Sequence, residues 1–120
     1  MKTLLAVVLA ATVATTAFAQ EAKTSTVAAL YKDKAALVGK TVQVKGKVVK
    51  VNNGIMGRNF LHIQDGTGDA ATNDLTVTSK DTANVGDTVS VTGIVVVNRE
   101  FGAGYAYPLL LEESRIAPAK

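Results

Sequence analysis

Residues 39–51, Gly-Lys-Thr-Val-Gln-Val-Lys-Gly-Lys-Val-Val-Lys-Val, constrain the fold more than any other stretch of the chain. Val42, Val44, Gly46 and Val48 share one face at period two. Val49 and Val51 then place apolar side chains on the opposite face. A flat strand with one buried side cannot satisfy both halves. A strand that bends where Gly46 lacks a side chain, and shifts register near Val48 and Val49, packs first one face and then the other. Such a strand lets a small sheet curl until its edges meet.

The N-terminus differs in composition from the rest of the chain. Met1-Lys2 is a short basic start, residues 3–17 are small or apolar, and Ala17-Phe18-Ala19 is an A-x-A site followed by polar Gln20-Glu21. This pattern predicts a cleavable signal peptide over 1–19 and a periplasmic or secreted product. An uncharged run this short and this rich in Ala and Thr suits a removable leader better than a membrane span. The chain has no cysteine, so no lipid-modified cysteine can tether the product, and no stable membrane anchor is expected after cleavage. The remaining length suits one domain whose stability comes from packing rather than disulfides. Lys2 is the one charged residue in 1–19, so cleavage leaves 12 basic and 10 acidic side chains. That excess is too small to produce a general steering field, and any anion binding must come from local placement.

Residues 20–38 read as a polar leader and a helix. Val27, Leu30, Tyr31, Lys34 and Val38 fall at helical spacing, Thr24, Ser25 or Thr26 can cap the start, and Gly39 suits the stop. The long strand follows over 41–51. Residues 52–59, Asn-Asn-Gly-Ile-Met-Gly-Arg-Asn, read as a loop. A second strand spans 60–64, a third spans 74–78, and a fourth begins at Val89 and continues past Gly93. Residues 98–107, Asn-Arg-Glu-Phe-Gly-Ala-Gly-Tyr-Ala-Tyr, read as a second long loop or hairpin end. A fifth strand runs to Ile116, and 117–120 form a tail. The expectation is a mainly β fold, a five-stranded Greek-key barrel over 39–116 with one N-terminal helix covering an open end.

At Gly39-Lys40-Thr41-Val42, Phe60-Leu61-His62-Ile63-Gln64-Asp65-Gly66-Thr67-Gly68 and Val85-Gly86-Asp87, the chain resembles the oligonucleotide/oligosaccharide-binding (OB) fold. More narrowly, it resembles small exported bacterial proteins of the nucleic-acid-binding OB-fold type. The resemblance implies a ligand face across the second and third strands, flanked by the loops at 52–59 and 98–107. It also implies single-stranded nucleic acid or another anionic oligomer as ligand.

The candidate binding residues are Arg58, Phe60, His62, Arg99, Phe101, Tyr105, Tyr107 and Lys47. Phe60, His62 and Gln64 form an outward row on the second strand. Phe60, Tyr105 and Tyr107 would stack on bases, while Arg58, Arg99 and Lys47 would take phosphate or carboxylate. Gly102-Ala103-Gly104 would let Phe101 and Tyr105 fold over the barrel mouth. No Ser or Thr stands beside a base at recognisable spacing, so a non-enzymatic binding protein is expected. His62 is the only histidine and lacks metal-ligand partners at usual spacing. Asp65, Asp69 and Asp74 lack the order of a calcium loop and read as turn formers. No cofactor and no metal are therefore expected. Two other readings stay open: an accessory module for an envelope or redox protein, with the aromatic loops as its contact, and a metal or small-molecule carrier.

Overall fold

In a computed structural model, the structure describes residues 22–102, 104 and 106–119. The expected signal peptide at 1–19 and Tyr105 lie outside the described residues. The elements are β1 (Lys23–Thr24), α1 (Val27–Leu37), β2 (Thr41–Ile55), β3 (Arg58–Gln64), β4 (Leu75–Ser79), β5 (Thr88–Glu100) and β6 (Ala106–Pro118). The chain is mainly β, with one helix and one six-stranded sheet among the described residues. The sixth strand is β1, which pairs parallel to β2 at Lys23↔Val42 and Thr24↔Gln43. Two polar residues carry no periodicity, so the leader conceals this strand in the sequence.

β2 behaves as its pattern demands. Its first half, Thr41 to Lys47, pairs antiparallel with β5, and its second half, Lys47 to Ile55, pairs antiparallel with β3. The handover falls beside Gly46. A Cβ there would lie 2.6 Å from Ile63 Cγ2 and 2.8 Å from the Gln64 carbonyl oxygen, so only glycine fits. The register shifts between Val48 and Lys50. Val48 stays fully buried, Val49 turns outward, and Val51 packs back against the core. The remaining pairs run β3 to β4, β4 to β6 (parallel) and β6 to β5, so the pairings return through β5 to β2 and form a ring. A ring leaves its members no long unpaired edge.

The core joins Val42, Val44, Leu61, Ile63, Leu75, Val91, Leu109 and Leu111 from the strands to Val27, Leu30 and Leu37 from α1. The helix starts at Thr26, whose hydroxyl oxygen accepts from the Ala29 N–H at 3.1 Å. Asp65 Oδ2 accepts from the Val27 N–H and Thr67 Oγ1 from the Ala28 N–H, each at 3.0 Å. The turn after β3 thus satisfies two more donors of the first helical turn. Gly39, at φ 83, ends the helix, and its N–H donates to the Val95 carbonyl.

Both loops flanking the expected ligand face are shorter than the sequence suggests. Ile55 pairs with Arg58, so Met56 and Gly57 form a two-residue hairpin turn with positive φ at both positions, 54 and 79. That is the type I′ signature, which matches strand twist. At the other loop, Arg99↔Tyr107 and Glu100↔Ala106 extend the β5–β6 ladder well into 98–107. Residues 80–87 link β4 to β5 without a helix.

Candidate functional site

Arg58 opens β3 directly after the Met56–Gly57 turn, and Phe60 lies two residues further along the strand. Arg99 lies near the end of β5, opposite Tyr107 of β6, and Phe101 follows β5. The ring of pairings brings these five together. The Phe60 and Phe101 ring centroids are 5.3 Å apart in an edge-to-face arrangement. Tyr107 lies 6.0 Å from each of them. The Arg99 guanidinium carbon lies 4.6 Å from the Phe101 ring centroid and that of Arg58 lies 5.3 Å from it, both within cation–π range.

Glu112 completes the cluster. Its Oε1 accepts from Arg58 Nη1 at 3.3 Å and its Oε2 from Arg99 Nη1 at 2.9 Å. The carboxylate is 10% exposed, while the two arginine side chains are 32% and 42% exposed. Glu112 lies on β6, directly after the Leu109–Leu111 run. Its position depends on a bulge in β6: Thr92 pairs with Arg115 and Ile94 with Glu112, so Glu113 and Ser114 together oppose Gly93. Glu113 takes φ 52 there, and a Cβ on Gly93 would collide with the Ser114 hydroxyl. The signal in the sequence is slight, an acid following the Leu109–Leu111 run and facing a strand that carries a glycine.

The structure refines what each candidate can do. Phe60 is 2% exposed, covered by Phe101 and Tyr107, so it supports the aromatic surface from beneath. Phe101 and Tyr107 are half-buried and form the outer layer. His62 turns to a different set of partners. Its Nδ1 lies 2.7 Å from Asp74 Oδ1, and Gln64 Nε2 donates to Asp74 Oδ2 at 3.2 Å. Tyr31 donates its hydroxyl to the Asp74 backbone carbonyl, and burial, followed by the nearby Asp74 charge, raises its pKa. Lys47 lines a separate shallow depression with Lys45, Gln64 and Asp65.

The carboxylates of the turn after β3 serve the fold. Burial works against ionisation of Asp65, but hydrogen bonds from the Thr67 hydroxyl, the Val27 N–H and the Thr67 N–H prevail and lower its pKa. Asp69 is lowered chiefly by the Ala71 N–H and then by the Thr72 hydroxyl. Among the described residues, no group of three or more His, Cys, Asp or Glu side chains is placed to hold a metal ion. No helix among them is long and apolar enough to cross a membrane.

A groove of about 680 Å³ runs beside the arginine cluster. Gly57 and Arg58 form one wall, Thr78 to Asp81 the floor, and the Glu112–Arg115 bulge the other wall. The groove carries both signs of charge, with Arg58, Lys80 and Arg115 against Asp81, Glu112 and Glu113.

No family model matches the chain, and no curated protein matches it. Solved structures do match. Among them is a crystal structure assigned as an aspartyl-tRNA synthetase from Leishmania major Friedlin, with a TM-score of 0.59 and 15% identity over 82% of this chain and 21% of that one. The chain thus spans about a fifth of that protein's length, and the likeness is one of fold.

Proposed function

We propose that this chain is an exported, non-enzymatic binding protein built on an OB-type barrel. It takes single-stranded nucleic acid or another oligomeric anion on the surface formed by Arg58, Arg99, Phe101 and Tyr107. The observation that carries this reading is the sharing of one carboxylate by two guanidiniums beside an aromatic cluster. Each guanidinium presents five N–H donors, and the Glu112 contacts use one from each. Two cations against one anion leave local positive charge on a half-exposed surface, the arrangement that suits a phosphate or carboxylate oxygen. The closed ring of pairings supports the barrel reading. So does the likeness in fold to part of a protein whose name carries a tRNA substrate. Phe60 holds Phe101 and Tyr107 in place, and those two offer the ring faces.

The test is binding of a labelled single strand of about 12 nucleotides, followed by fluorescence anisotropy from about 20 to 200 mM salt. Affinity should fall steeply with salt. Replacing Arg58, Arg99 and Glu112 together by Gln removes both cations without leaving a carboxylate unpaired. This variant should flatten the log–log salt slope by about 1.4, the value for two phosphate contacts on a single strand. Absence of binding at the lowest salt contradicts the proposal. Export is tested separately by the mass of the chain recovered from the periplasm or medium, which should begin at Gln20. A product that retains Met1 contradicts it.

A further inference from the structure

We infer that Met56, at the tip of the β2–β3 hairpin, is the contact for an unstacked base of the ligand held at Arg58. The inference rests on the binding function proposed above.

Met56 breaks two local rules at once. It is a large apolar side chain left 46% exposed, and it adopts φ 54. Left-handed backbone is costly for a residue with a side chain, and the first position of a type I′ turn favours Asn, Asp or Gly. Of the described non-glycine residues with positive φ, Asn98 is a type that tolerates it, whereas Met56 and Glu113 are not. Glu113 lines the groove, and Met56 adjoins two residues that line it. Gly57 and Arg58, next to Met56, form one wall, and Glu113 lies in the other. The bulge at Glu113 accompanies the placement of Glu112 between the two arginines. By the same logic, the turn at Met56 serves to present its side chain, because persistent backbone strain clusters at ligand sites.

The hairpin is braced against the segment that floors the groove. Asn59 Oδ1 accepts from the Gly54 N–H at 2.9 Å, and Asn59 Nδ2 donates to the carbonyls of Lys80 and Asp81. Thr82 Oγ1 donates to Asn53 Oδ1 at 2.8 Å. The tip is therefore presented on a fixed stem, two residues from Arg58. Phe60 lies too deep to meet a base, and of the two large apolar side chains this hairpin leaves exposed, Val49 and Met56, only Met56 is at the tip. A thioether is polarisable and packs well against a π-face. An anionic oligomer with a phosphate at Arg58 would place its neighbouring base within reach of this tip.

The test compares Met56→Asn with Met56→Leu in the full chain, using the same single-stranded probe. Asn relieves the turn, so Met56→Asn should raise Tm by roughly 2–5 °C. It should also weaken binding about fivefold, without changing the salt slope, because no phosphate contact is lost. Met56→Leu remains apolar and should bind as the wild type does. The opposite signs for stability and affinity are what a purely structural turn residue would not give. A Met56→Asn protein that binds as tightly as the wild type overturns the inference, and so does a Met56→Leu protein as weak as the Asn variant. If the wild type binds no oligonucleotide at low salt, the proposed function falls and this inference with it. Wild-type binding with an indifferent Met56→Asn variant removes the inference alone.

Discussion

The two ends of β3 use charge in opposite ways. At the Gln64 end, the adjoining Asp65 is engaged inside the fold. Its oxygens take the Val27 N–H, the Thr67 N–H and the Thr67 hydroxyl, and they fix the start of α1. At the Arg58 end, one carboxylate is divided between two guanidiniums, whose side chains stay 32% and 42% exposed. The same strand thus carries a closed, helix-covered end and an open, cationic end. A charged residue near a strand end says little by itself. What matters is whether its hydrogen-bonding capacity is used up by the backbone around it.

Four predictions test this contrast. Leu30→Ala removes a fully buried side chain where α1 meets the strands and should cost about 2–5 kcal/mol in denaturant unfolding. The fraction that remains folded should bind the oligonucleotide as the wild type does. A large loss of affinity at native temperature would show that the helix end and the arginine end are one functional unit.

Replacing Arg58 and Arg99 by Gln while retaining Glu112 strips a mostly buried carboxylate of its charged partners. It should cost about 1–3 kcal/mol. Adding Glu112→Gln should restore most of that stability while binding stays weak with the flattened salt slope, which separates the structural role of the cluster from its ligand role.

Asp65→Ala should cost about 1 kcal/mol, the usual loss for a helix-start acceptor, and leave the salt dependence of binding unchanged. The fourth prediction is its pH signature. The folded-state pKa of Asp65 is lowered, so its stabilisation is complete above the unfolded carboxylate value of about 3.9 and is lost as pH falls through the lower folded value. Tm measured from about pH 6 downward should therefore drop more steeply below about pH 4 in the wild type than in Asp65→Ala. Parallel curves would mean that Asp65 does not hold the helix start.

Much of the fold was legible in the sequence where periodicity carried it. The shift from Val48 to Val51 announced the bulge, and Gly46 announced the bend. The Thr24–Thr26 run and Gly39 bracketed α1, with Thr26 the cap among the three candidates. What was hidden had physical reasons. β1 is two polar residues whose pairing leaves no pattern. The Met56–Gly57 turn was read as part of a loop because Met is a poor type I′ residue. The cover over Phe60 comes from Phe101 and Tyr107, some forty positions away, and local alternation cannot report such a partner. Glu112 was missed because the bulge that places it uses Glu113 rather than a glycine. Among the candidate site residues, Arg58, Phe60, Arg99, Phe101 and Tyr107 converge. His62 and Lys47 stand in other settings, through Asp74 and through the depression beside Gly46.

The most direct measurement is an amide chemical-shift titration with a single strand of about 12 nucleotides at low salt. The account predicts shifts concentrated at Met56, Gly57 and Arg58, at Arg99, Phe101 and Tyr107, and around Glu112. It predicts none at Val27, Ala28, Asp65 or Thr67. Shifts centred on the Asp65 turn, or an unchanged spectrum at saturating oligonucleotide, would contradict it.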